Sequence, residues 1–192
     1  MSLRLLCASF ACTLSASAFA ELHTFDQAGT LTVDTAAPRS ASLHITCTPE
    51  ADGGAISVEL VVPEAYTRKD FDYDDFEGPD PSAGDKVLSE IAWTSSASST
   101  SISSAAGGWY SPEPPESFHF GISQLSHRRE APAHLLAAIK EAGTLVWTQT
   151  AFNDAKRRLV ATFAFDAATS RRLHDTVATC LPQVMPARKP GG

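Results

Sequence analysis

The residues of this chain best suited to chemistry lie in the run DFDYDDFEGPD at positions 70–80. Six carboxylates (Asp70, Asp72, Asp74, Asp75, Glu77 and Asp80) interleave there with Phe71, Tyr73 and Phe76. Asp at 70, 72 and 74 matches the opening of a calcium loop, but an EF-hand also needs Gly at its sixth position and Glu at its twelfth. Asp75 and Pro81 stand there instead, so a regular EF-hand is excluded and an irregular calcium site stays open. A second reading is a recognition loop in which aromatic anchors supply contact area and carboxylates match a basic cleft. A third is a solvated loop whose aromatics pack back onto the domain. Charges of one sign this dense repel unless a cation or a basic partner screens them.

A second candidate surface is Gly107-Gly108-Trp109-Tyr110 beside Pro112, Pro114 and Pro115. Trp and Tyr in such a setting form either a partner platform or plugs of the core. The partner-binding set is therefore Asp70, Phe71, Asp72, Tyr73, Asp74, Asp75, Phe76 and Glu77, with Trp109 and Tyr110. Trp93 and Trp147 fall in strand patterns and read as core.

Catalytic signatures are missing from the sequence. It has no GxSxG elbow, P-loop or GxGxxG. His23, His44, His119, His127, His134 and His174 show no HExxH or other dense ligand spacing, so no metal or cofactor is expected. His44 and His119 should face away from the apolar residues of their strands, as ordinary surface groups. His174 and Asp175 are adjacent on a predicted helix and do not face one another.

The elements that must position these groups follow from periodicity. Segments 29–34, 41–48 and 55–62 alternate as strands, the last two joined by the turn signal Asp52-Gly53-Gly54. Residues 86–93 are a further strand candidate. Residues 94–106, a Ser/Thr/Ala tract, form an edge hairpin or a loop. Phe118, Phe120 and Ile122 alternate in a buried strand. A helix is predicted over 130–142, with the stripe Leu135, Ala138, Ile139, Ala142 and with Gly143 as its cap. A hairpin follows over 144–150 and 159–165, turning at Asn153-Asp154. A helix capped by Asp166 then runs from 167 to about 180. The expected fold class is α+β: an antiparallel sheet or β-sandwich with two helices in the C-terminal half and one disulfide.

That disulfide joins Cys47 and Cys180. Leu43, Ile45 and Cys47 share one strand face, while Leu173, Val177 and Cys180 share one helical stripe, so both thiols point toward the core. The other two cysteines, Cys7 and Cys12, lie in MSLRLLCASFACTLSASAFA, which has a basic n-region at Arg4, a short apolar core and the small-x-small site Ala18-Phe19-Ala20. This predicts a cleaved signal peptide at 1–20, one globular domain at 21–182 and a tail at 183–192, in the periplasm. Arg4 is the one charged side chain of 1–20, so the net charge of −7 becomes −8 without it. An acidic balance of this kind disfavours nucleic acid and anionic lipid as partners and suits a protein with a basic surface. No later apolar run is long enough to span a membrane. Together these features predict a non-catalytic periplasmic binding or inhibitory protein, in one form an immunity-type protein neutralising an exported toxin enzyme. The alternative is an envelope-associated structural or small-ligand-binding module.

Overall fold

The computed structural model describes residues 22–49, 54–113, 116–124 and 131–184. The expected signal peptide, the turn at Asp52-Gly53, His127 and the tail beyond 184 lie outside the described residues.

Nine strands form one antiparallel sheet: β1 (His23–Val33), β2 (Arg39–Thr48), β3 (Ala55–Pro63), β4 (Ser89–Ser95), β5 (Ser99–Ser104), β6 (Gly107–Ser111), β7 (Ser117–Gln124), β8 (Gly143–Thr150) and β9 (Arg158–Phe165). Their order is β5-β4-β8-β9-β1-β2-β3-β7-β6. Strict alternation sends Leu43, Ile45 and Cys47, Val58 and Leu60, and Phe118 and Phe120 to one buried face. Thr24, Thr30, Ser40 and Thr46 go to the other.

The sheet curls into a half-barrel. Helix α2 (Ala131–Ala138) shows this directly, because it packs on β5 and β4 at one end of the strand order and on β7 and β3 near the other. This is a correction to the expected fold class. The expected antiparallel sheet is present, but the protein is mainly β and among the described residues no second sheet makes a sandwich; helices and the segment between β3 and β4 cover the concave face instead. Leu135 and Leu136 of α2, and Ile139 just beyond it, are all fully buried, while His134 faces out. Trp93 and Trp147 lie in the same core. Their indole N–H groups have no acceptor among the described residues.

The helix after β9 is amphipathic. In α3 (Ala167–Val177), the Asp166 carboxylate accepts from the Thr169 N–H at 2.7 Å, the expected cap. Leu173, Val177 and Cys180 point inward, and Cys180 bonds to Cys47 on β2, with 5.9 Å between their Cα atoms. Two turns of four residues, Ala65–Arg68 (α1) and Leu181–Val184 (α4), complete the helices. No described helix is long and apolar enough to cross a membrane.

Two local expectations change. The helix predicted over 130–142 ends at Ala138, and Ala142 is exposed. Gly143 does not cap it but opens β8, where a Cβ would stand 2.5 Å from the Thr94 carbonyl oxygen and 2.6 Å from the Trp93 ring. Glycine is there to let two strands close up.

Candidate functional site

The acidic segment lies along the mouth of the half-barrel, and backbone geometry fixes both its ends. Glu64 and Lys69 flank α1 with left-handed φ of 59° and 48°. They turn the chain out of β3 and back across the sheet. At the far end Gly78, with φ of 84°, donates its N–H to the Gly108 carbonyl at 3.0 Å. A β-bridge between Glu77 and Gly108 extends the edge beyond β6.

Between those ends the aromatics face inward. Phe71, Tyr73 and Phe76 are 4%, 1% and 1% exposed. Their rings meet Phe118 and Phe120 at centroid distances of 5.1 to 6.1 Å. The three aromatics of this segment, expected as part of a recognition surface, are therefore part of the core, and the carboxylates are its more accessible side chains.

Each carboxylate near the start of the segment has its own counter-group. Asp70 accepts from Arg39 at 2.9 Å and from the Tyr73 hydroxyl at 2.9 Å. Asp72 accepts from Arg157 at 3.0 Å, and the same guanidinium donates to the Asp70 carbonyl at 2.8 Å. Arg157 belongs to the basic run Lys156-Arg157-Arg158. Asp74 accepts from the Tyr110 hydroxyl at 2.7 Å and Asp75 from the Asn153 amide at 3.1 Å. Asp70, Asp72 and Asp74 thus point at three different groups rather than converging on one point. Among the described residues no cluster of three His, Cys, Asp or Glu side chains could hold a metal.

Burial, reinforced by the Asp70 carboxylate, pushes the Tyr73 phenol well above its ordinary value. Burial and the bond to Asp74 do the same for Tyr110. Both hydroxyls stay protonated and serve as donors to their aspartates.

Alternation along β6 separates Trp109 from Tyr110. Trp109 lies on the outer face against His119, with 5.1 Å between ring centroids. Tyr110 lies on the inner side against Phe118 and Asp74. Only Tyr110 joins the acidic segment.

Tyr66, which sequence reasoning passed over, completes the site. It is 60% exposed and stands at 89° to Tyr110, with centroids 5.8 Å apart. This corner divides two clefts. One, of about 450 Å³, holds Lys69 beside Asp72, Asp74 and Asp75. The other, of about 420 Å³, is walled by Tyr66, Tyr110 and Pro112 with Asp74, Glu77 and Glu116, and no cationic side chain lines it among the described residues.

An edge-to-face tyrosine pair and three carboxylates around one opening suit a cation, and Lys69 Nζ already stands 6.0 Å from the Tyr66 ring centroid. Comparison with family models, curated proteins and solved structures returned no match. The reading of the site therefore rests on its own geometry. Each aromatic ring presents a negative face, and a desolvated cation–π contact contributes up to about 2 kcal/mol. The carboxylates add long-range attraction that salt screens. The other histidine singled out on a strand, His44, lies on the outer face 2.7 Å from Asp26, remote from this opening.

Proposed function

We propose that the chain is an exported binding protein whose cleft at Tyr66, Tyr110, Asp74, Glu77 and Glu116 receives a basic side chain of a protein partner, without catalysis at that cleft. The observation that carries this reading is the exposed Tyr66–Tyr110 corner opening onto three carboxylates, with no cationic side chain among the described residues lining the cleft. An Arg or Lys entering it packs against the tyrosine corner and meets the carboxylates as hydrogen-bond acceptors. In its most specific form the partner is an exported toxin enzyme, and the chain inhibits it by occupying a basic active-site cleft. Export to the periplasm with removal of residues 1–20 accords with the Cys47–Cys180 disulfide, since such bonds persist in oxidising compartments.

The small-ligand alternative draws on the size of the cleft, which lies within the range of small-molecule sites. A cationic metabolite would then take the place of the partner's side chain.

Capture from a periplasmic extract on immobilised protein tests the reading. A specific exported protein is retained at low salt, and Tyr66→Ala or the pair Glu77→Gln and Glu116→Gln releases it while the fold is kept. Retention unchanged in both variants overturns the role of this cleft. Saturable binding of a small cation such as arginine amide, with no protein retained, favours the alternative.

A further inference from the structure

The outer face of the sheet carries a second array that uses none of the cleft residues. Ser117 and His119 are two apart on β7 and so share a face. In the β3–β7 register Glu59 lies opposite Gly121 and Val61 opposite His119, which makes Glu59 the diagonal neighbour of His119. The side chains meet accordingly. Ser117 Oγ is 3.0 Å from His119 Nε2, and His119 Nδ1 is 3.4 Å from Glu59 Oε2.

The tautomer follows from the partners. A carboxylate only accepts, so in a neutral imidazole Nδ1 carries the proton and donates to Glu59. Nε2 is then left as the acceptor for the Ser117 hydroxyl. This is the arrangement in which an imidazole can take the proton of a serine nucleophile.

The array is held firmly. All three residues sit on paired strands, and the Trp109 ring stacks on the imidazole at 25°. Gly121 keeps room for that ring, since a Cβ there would stand 2.9 Å from the indole. Ser57 donates to the other oxygen of Glu59 at 3.3 Å, fixing the carboxylate. Access to the array is restricted, because Ser117 is 7% exposed and the side chains of His119 and Glu59 are 19% and 14% exposed, so only a small ester can reach the hydroxyl.

We propose that Ser117 is an activated nucleophile toward small carboxylic esters, with His119 as general base and Glu59 as the residue that positions it. Ser117 Oγ bonds to the ester carbonyl carbon as its proton passes to His119 Nε2. The carbon–oxygen bond to the leaving alkoxide breaks, and that alkoxide takes the proton from Nε2 and departs as the alcohol. Water then attacks the acyl-serine, gives its proton to Nε2, and the Ser117 oxygen recovers one as the acid leaves. Trp109, 42% exposed beside the array, offers an apolar surface for a short acyl group.

The test is reaction of the purified folded protein with a fluorophosphonate probe, mapped by mass spectrometry, alongside burst kinetics with p-nitrophenyl acetate. The expected result is covalent labelling of Ser117, absent in Ser117→Ala and slowed about 10²-fold or more in His119→Gln, the usual span of general-base catalysis. Glu59→Gln slows acylation while leaving the half-saturating ester concentration unchanged, a split that a loss of packing alone would not give. The wild-type result depends on no variant. An unlabelled folded wild type, a label on a serine elsewhere, or His119→Gln reacting at the wild-type rate overturns the proposal.

Discussion

The guanidinium of Arg39 holds both carboxylate oxygens of Asp70 through a single nitrogen, Nη2, at 2.9 and 3.1 Å. The same nitrogen lies 3.1 Å from the Tyr73 hydroxyl, and Nη1 donates to the Pro63 carbonyl at 2.6 Å. One side chain at the start of β2 therefore ties the acidic segment to the end of β3 and to the phenol that enters the core.

Because the side chains of this pair are only 14% and 28% exposed, breaking it leaves a carboxylate that water cannot fully reach. Arg39→Met is expected to cost about 2 kcal/mol. For a chain of this size that lowers Tm by about 4–8 °C, measurable by circular dichroism. Arg68→Met, which removes an exposed i,i+4 pair with Glu64, should change Tm by less than about 2 °C.

The two raised phenols predict a loss of stability in alkali. A group whose folded-state pKa exceeds its unfolded value contributes in full below the unfolded value, about 10 for tyrosine. The contribution declines as pH rises from there toward and through the folded-state value. The urea midpoint should thus be flat between about pH 8 and 9.5 and fall above about pH 10. Tyr73→Phe, which lacks the titrating group, should fall less steeply.

Gly143→Ala puts a methyl group against the Thr94 carbonyl and the buried Trp93 ring, neither of which is the free end of a flexible chain. Overpacking of this kind costs about 1–3 kcal/mol. Urea denaturation should show a lower midpoint with an unchanged slope. An unshifted midpoint would mean that β4 and β8 can separate without cost.

Much of the scaffold was legible because its signals are local. The alternation in 41–48 and 55–62 places the inner face residue by residue, and Asp166 has the side chain a helix start requires. Cys47 and Cys180 could be paired from two separate periodicities. The single curled sheet could not be read, because β1 joining β9 across most of the chain depends on register between distant strands. The end of α2 was hidden for a related reason: Ile139 stays fully buried beyond the last helical residue, so the apolar stripe continues where the helix does not.

The site was legible by half. Residues 70–77 stand out for their charge, yet which face each side chain takes is decided by Phe118 and Phe120, more than 40 residues further on. Tyr66 carries no motif, and only the left-handed turns on either side of α1 bring it to Tyr110. Likewise Ser117 and His119 show the i, i+2 spacing of one strand face, but Glu59 joins them through strand register alone.

Reduction of the Cys47–Cys180 bond should lower stability by up to about 5 kcal/mol on the chain-entropy model. That corresponds to a fall in Tm of about 10–20 °C. Melting with and without dithiothreitol measures it, and the double variant Cys47→Ala and Cys180→Ala should match the reduced wild type.

The 133-residue separation of those two cysteines also bears on how the molecule matures. Cys47 has no native mate until the 133 residues that lead to Cys180 have followed it. Four cysteines permit three different pairings, whereas Cys47 and Cys180 alone permit one. If residues 1–20 are removed as proposed, Cys7 and Cys12 leave with them, and the remaining pair permits no wrong bond within a chain, so oxidation would need no isomerase.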